Sequence, residues 1–328
     1  MNSAARAAAL WVGTCAVAVS GILPAAAVER GTGAPPAGLV AALERTVADG
    51  FPGAVAYARD GGQESRTAAG LADTTTGERA RPDHRFRIAG NTTSFVSTVL
   101  LQLEGEGRLS LDDSVETWLP GVVRGHGNDG RAVALRQLLN HTSGIYDPTD
   151  EAEFFAPYLI LTPLGLKDTP FSVTGPDIHG PHLHGYDLGG RDVTRFSPSY
   201  DWTAGVVIST VDDLARFHRA LFTGRLLRPA QQRELLTTVQ SGDEEAYGLG
   251  VRTVEVTCGS GPGAERISAW ATDGGGPGFT SVSLTTADGE RQLVLAFNVF
   301  DLGANLRKQR PVPYTEALGR AQAAALCD

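Results

Sequence analysis

The hydrophobic period changes twice along this chain, and that change limits the fold more than any single residue does. Leu39, Val40, Leu43 and Val47 recur at spacings of three and four, which predicts a helix stopped by Gly50 and Pro52. Ala54 to Ala58 then reads as a short apolar strand, Asp60-Gly61-Gly62 as a turn and Ser65 to Leu71 as the returning strand of a hairpin. The middle of the chain is helical in period. Phe95, Val96, Val99, Leu100 and Leu103 share one face, Leu135, Leu138 and Leu139 another, and Leu214, Phe217 and Leu221 a third. Ser209-Thr210 is placed to cap the third helix, with Asp212 and Asp213 at its positive end. Strand-like segments return at Tyr247–Val256, Ala264–Ala271, Thr280–Thr286 and Gln292–Phe300. Turns are expected at Gly259–Gly263, Asp273–Gly278 and Asp288-Gly289, and Tyr314–Leu326 reads as a closing helix. The fold class that follows is α/β, an α+β sandwich. One antiparallel sheet is built from both chain ends and flanked by helices, with a helical lobe inserted. Residues 38–85 and 240–328 are expected in the sheet region and 86–239 in the lobe, together one domain over 28–328.

Residues 1–27 have a different character. Arg6 is the only charge, Ala7 to Leu23 is apolar, Pro24 breaks the run, and Ala25-Ala26-Ala27 offers small residues for cleavage. This is the three-part pattern of a secretory signal peptide and predicts a secreted protein. The alternative is an uncleaved N-terminal helix serving as a membrane anchor. After cleavage Cys258 and Cys327 are an even pair in an exporting compartment, where disulfides persist, so a bridge is expected; the alternative is two separate thiols. Closing that interval would contribute about 3–4 kcal/mol in the chain-entropy picture. Formal charge is −9, and Lys167 and Lys308 are the only lysines among 28 basic residues. No basic run is available to neutralise phosphates, so nucleic acid is excluded as a partner.

Several segments, in order, resemble the serine beta-lactamase and D-alanyl-D-alanine carboxypeptidase (penicillin-binding) superfamily, especially its class C-like members. They are Phe86-Arg87-Ile88, Leu103 to Leu119 (LEGEGRLSLDDSVETWL), Leu135 to Ile145 (LRQLLNHTSGI), Pro163 to Leu166 with Asp168-Thr169, His184-Gly185-Tyr186, Ala204 to Phe217 (AGVVISTVDDLARF) and Gly274 to Phe279 (GGGPGF). The resemblance implies a serine nucleophile, a lysine one helical turn later, a tyrosine loop motif and a strand motif Lys/His-Thr-Gly. Serine needs an adjacent base to become a nucleophile, and a spacing of three puts serine and lysine on one helix face. Backbone N–H groups would form the oxyanion hole. It also implies a cell-wall peptide or beta-lactam-like ligand, no cofactor and a monomer.

The residues at those positions do not carry the chemistry. Gly90 stands where the serine belongs and Thr93 where the lysine belongs. Thr272-Asp273-Gly274 replaces Lys/His-Thr-Gly. Only Tyr146 to Leu161 separates HTSGI from the Thr162-Pro163 that leads into the next family segment, where the family has a longer stretch. Neither Tyr146 nor Tyr158 fits the tyrosine motif, so the lobe is expected to be shortened. The expectation is therefore a pseudoenzyme with vestigial positions Gly90, Thr93, Thr272, Asp273 and Gly274. The alternative is a serine hydrolase working from a rearranged site at Ser94 or Ser143.

Other clusters read more simply. His179, His182 and His184 are expected in a polar loop rather than at a metal. His141 and Ser143 are expected to lock a loop by side-chain–backbone bonds. Asp112-Asp113 and Asp212-Asp213 fit helix starts. Asp273 to Gly278 lacks the ending of a phosphate loop, and no G-x-S-x-G elbow occurs.

Overall fold

The computed structural model describes residues 31–125, 127–144, 164–170, 175–197, 205, 207–241, 245–261, 263–300 and 314–327. The leader expected at 1–27 and the short stretch with Tyr146 and Tyr158 lie outside them. Among the described residues no helix is long and apolar enough to cross a membrane.

The strands are β1 (Gly31–Thr32), β2 (Gly53–Asp60), β3 (Gln63–Asp73), β4 (Glu78–Arg79), β5 (Phe86–Arg87), β6 (Arg124–Gly125), β7 (Asn128–Asp129), β8 (Ile208–Ser209), β9 (Val239–Ser241), β10 (Glu245–Tyr247), β11 (Arg252–Cys258), β12 (Glu265–Gly276), β13 (Phe279–Thr285) and β14 (Arg291–Phe297). The helices are α1 (Ala37–Ala48), α2 (Thr92–Gly105), α3 (Val115–Trp118), α4 (Leu135–Leu139), α5 (Val211–Phe222), α6 (Pro229–Leu236) and α7 (Tyr314–Leu326). The main sheet runs β1-β3-β2-β14-β13-β12-β11-β10-β9, with β4 on the side of β3. Its two ends of the chain meet where β14 pairs antiparallel with β2, Leu295 opposite Ala56. Among the described residues, β1 on β3 is the only parallel pair in this sheet.

Side chains alternate across a strand, so β2 faces two cores at once. Ala54, Ala56 and Ala58 pack with Leu39 and Leu43 of α1 and with Ala317 and Ala321 of α7. Val55 and Tyr57 point the other way, into a cluster with Phe95, Phe217 and Leu221. The alanines on the first face let two helices lie close to the sheet. On the second face the Phe95 and Phe217 rings stack with centroids 3.6 Å apart, tying α2 to α5. Thr210 Oγ1 caps α5 by accepting from Asp213 N at 3.2 Å, and Cys258 at the end of β11 is bonded to Cys327 beyond α7.

Three local expectations change. Tyr247–Val256 is two strands, not one: the chain reverses through Gly248–Gly250, and Gly250 has φ +73°. Asp273–Gly276 is strand rather than turn, because β13 supplies partners for its backbone: Gly274 lies opposite Ser281 and Gly275 opposite Thr280. Asp113 does not start a long helix; it accepts from Ser110 N at 2.9 Å and Trp118 Nε1 at 3.1 Å, while Asp112 pairs with Arg136 at 3.0 Å. The sequence pattern did not single out α6, which begins with a proline in its first turn, where the missing N–H costs nothing.

Candidate active site

β5 pairs with β8 and leads through Ile88 into a single 3₁₀ turn, Ala89–Asn91, at the head of α2. Ala89 has φ +43°, a conformation rare outside glycine and frequent where a fold holds functional groups. β12 passes directly against this turn. A Cβ on Gly90 would lie 2.6 Å from Asp273 O, and a Cβ on Gly274 would lie 2.5 Å from Gly90 N. Two backbones therefore touch here, and glycine on both sides is what allows it. The two vestigial positions Gly90 and Gly274 are brought together, but as a packing seam.

Thr93, one turn on, has Oγ1 2.9 Å from Gly90 O and 3.3 Å from Gly250 O. Its single proton goes to the nearer carbonyl, so the hydroxyl serves the backbone. Asp273 pairs with Arg252 at 2.9 Å. Thr272 points inward, 4% exposed, and its Oγ1 donates to Asn91 Oδ1.

Beneath the seam lies a polar cluster that the sequence reading missed. Asn91 Nδ2 donates to Ile88 O at 3.2 Å and to Ser281 Oγ at 2.9 Å. His218 of α5, without solvent exposure, has Nδ1 2.7 Å from Ser283 Oγ, and Nε2 3.1 Å from Ser94 Oγ and 3.2 Å from Thr272 Oγ1. Counting protons assigns its tautomer. Ser94 gives its proton to Asn91 O at 2.7 Å, and Thr272 gives its own to Asn91 Oδ1. Both oxygens can only accept from His218, so Nε2 carries the hydrogen and Nδ1 accepts from Ser283. Burial pushes the His218 imidazole down to about 3, so it is neutral at ordinary pH. Two signals pointed to this cluster: Ser281 and Ser283 share one face of β13, and His218 lies four residues after Leu214 on the buried face of α5.

His141, φ +59°, is held by its side chain and its backbone: its Nε2 is 3.0 Å from Tyr247 OH, and its N–H donates to Leu138 O at 3.4 Å. Thr142 Oγ1 donates to Asn140 Oδ1 at 2.7 Å, which closes the loop that also holds Ser143. Among the described residues no three His, Cys, Asp or Glu side chains converge as metal ligands.

A family model described as Beta-lactamase matches residues 39–159 and 155–312. The chain belongs to the beta-lactamase family. A solved D-stereospecific amidohydrolase from Streptomyces sp. is 32% identical, with TM-score 0.74, covering 89% of this chain and 98% of its own. Esterase EstB from Burkholderia gladioli is 43% identical over 96 residues, 28% of this chain and 24% of the esterase. A class C beta lactamase from Rhodobacter sphaeroides has the same fold at 18% identity, TM-score 0.67, covering 88% of this chain and 98% of its own. The curated relatives, unlike these structures, are matched over only a minor part of their length, 24% for the esterase and 16% for Protein flp from Staphylococcus aureus. The antiparallel sheet flanked by helices is thus a beta-lactamase-family serine hydrolase fold.

Proposed function

We propose that this beta-lactamase-family chain has lost acyl transfer and works as an exported, monomeric binding protein. Its ligand class is a cell-wall peptide or a beta-lactam-like molecule, and residues 1–27 are its secretory leader. The observation that carries this reading is the seam at Gly90, where Asp273 O stands 2.6 Å from the place of any Cβ. A nucleophile there would need β12 to move. Further support comes from Thr93 and Thr272, whose hydroxyls are committed to neighbouring acceptors where the family motif has cations. The family match also breaks into two segments that meet at 155–159, inside the stretch too short for the tyrosine motif. Loss of a serine nucleophile costs about 10⁶ in kcat in subtilisin, which is about 8 kcal/mol of barrier.

Ser94, the candidate for a rearranged site, is fully buried and faces a protonated Nε2 that cannot take its proton. The test is to incubate the purified protein, residues 28–328, with a fluorescent penicillin, followed by a denaturing gel and intact-mass measurement. No adduct is expected. A stoichiometric adduct, on Ser94, Ser143 or elsewhere, would defeat the reading.

A further inference from the structure

Away from the seam, the loop from Pro176 to Phe196 borders a polar cavity of about 430 Å³, within the size range of ligand pockets. Its lining is Asp177, His182, His184, Asp192, Thr194 and Arg195, with buried Ile178 as the apolar residue. Arg87, 5% exposed, donates through Nη2 to Pro176 O at 2.7 Å and to Phe196 O at 3.3 Å. Both ends of the loop are therefore fixed, and a ligand meets groups already in place.

Two carboxylates and one guanidinium set its chemistry. Asp192 Oδ1 accepts from Thr194 N at 2.8 Å and from Thr194 Oγ1 at 2.5 Å, and Oδ2 accepts from His184 Nδ1 at 2.7 Å. Burial pushes this carboxyl up, but the bonds from His184 and Thr194 outweigh it and hold the group below the usual carboxylate range. Oδ2 has one bond and room for a second donor. Asp177 and Arg195 lie side by side: Nε donates to Oδ1 at 2.6 Å and Nη2 to Oδ2 at 3.4 Å. Among the described residues these bonds engage two of the five guanidinium donors, which leaves three. The two side chains are 74% and 45% exposed, open to an incoming ligand. His182 Nδ1 donates to Gly180 O at 2.7 Å, since a carbonyl only accepts. A hydroxyl can meet the Nε2 of either ring as donor or as acceptor, so nothing rests on the charge of the imidazoles.

That lining selects among ligands. An anion would face Asp177 and Asp192, and a cation would face Arg195. An apolar molecule would strip water from all three and return no hydrogen bonds. What fits is neutral, donates to a carboxylate oxygen and accepts from the guanidinium at the adjacent position. A trans peptide group turns its N–H and C=O to opposite sides and cannot meet both. Hydroxyls on neighbouring carbons are adjacent oxygens, each a donor and an acceptor. We propose that this cavity binds the vicinal hydroxyls of a sugar ring, with Asp177 and Arg195 taking one hydroxyl pair and Asp192 Oδ2 accepting from a further hydroxyl. The chemistry is shared by a free monosaccharide and by a glycan chain. It does not rest on the loss of acyl transfer, because the seam contributes no group here and binding is read without any reaction.

Titration of the intact protein with the methyl glycosides of glucose, mannose and galactose, followed in amide ¹H–¹⁵N spectra, tests it. Together these sugars present both relative orientations of neighbouring hydroxyls. The controls are the fully O-methylated form of the sugar that binds, whose oxygens only accept, and propionamide, a carboxamide with N–H and C=O on one side. At least one glycoside should saturate a single site and move amide signals within residues 177–195, and neither control should. Arg195→Met, a change at an exposed side chain, should weaken binding about tenfold, the worth of one charge-assisted hydrogen bond, with the urea midpoint unchanged. Asp192→Asn should weaken it as much; if that variant fails to fold, Arg195→Met carries the test. A linear tetrasaccharide of the same sugar separates the sources: binding about tenfold tighter than the monosaccharide assigns a glycan chain, equal affinity a free sugar. No saturable binding of any of the three glycosides, equal binding of either control, signals that move only outside the loop, or unchanged affinity in Arg195→Met would each overturn the proposal.

Discussion

Acid should destabilise this protein in part through His218. The imidazole has no solvent exposure, and its ring lies 5.0 Å from Phe217 and 5.7 Å from Phe222. Among the described residues its hydrogen-bond partners are hydroxyls, with no carboxylate to welcome a positive charge. Burial therefore holds the folded-state value at about 3, against about 6.5 for an unfolded histidine. Above pH 6.5 the group is neutral in both states and has no effect. Between pH 6.5 and about 3 the unfolded chain binds a proton that the folded chain does not, so stability falls as pH falls. The slope is about 1.4 kcal/mol per pH unit and the total on the order of 5 kcal/mol, flattening below pH 3. A domain has about 5–15 kcal/mol in all, so one residue can decide acid tolerance. Urea unfolding at pH 7, 6, 5 and 4 of the natural protein and of His218→Gln measures it. The substitution should cost about 1–3 kcal/mol at pH 7, by disturbing the buried bonds. That deficit should shrink by about 1.4 kcal/mol per unit of acidification, because only the natural protein pays the proton cost. Carboxylates titrate alike in both proteins and cancel in the difference. Parallel stability curves for the two proteins would refute the reasoning.

Other outcomes follow from the same contacts. Gly90→Ser should lower stability by about 1–3 kcal/mol in urea unfolding, since its Cβ forces β12 off the turn, and adding Thr93→Lys should still give no penicillin adduct. Thr210→Ala removes the cap of α5 and should cost about 1 kcal/mol, read as a drop in the urea midpoint with unchanged slope. Cys258→Ser, or reduction of the natural protein, should lower stability by about 2–4 kcal/mol, and reductant should leave the variant unaffected. Arg87→Met should speed amide exchange in residues 176–196 more than in the sheet, because both ends of that loop lose their shared donor.

Much of the architecture was legible because periodicity is a local property. The short apolar run of Ala54 to Ala58 and the three- and four-residue spacing in α1, α2 and α5 need no knowledge of the rest of the chain. The same is true of the missing residues: Gly90, Thr93 and Thr272 are read directly against the motif they replace. Where a segment takes its conformation from a distant partner, local reading failed. Asp273–Gly276 has the composition of a turn and is strand because β13 lies beside it. Tyr247–Val256 has the composition of one strand and is two, because Gly250 reverses the chain where it packs on the head of α2.

The amino-acid order alone determined that both ends of the chain would share a sheet around helical segments, and that no serine–lysine pair would stand at the head of α2. The tertiary structure alone decided that Gly90 would be pressed against Asp273, and that Asn91, Ser94, His218, Thr272, Ser281 and Ser283 would form one sealed polar cluster. Those contacts join residues from the 3₁₀ turn, α2, α5, β12 and β13. Proximity across elements is set by how layers pack, and side-chain spacing within an element carries no record of it.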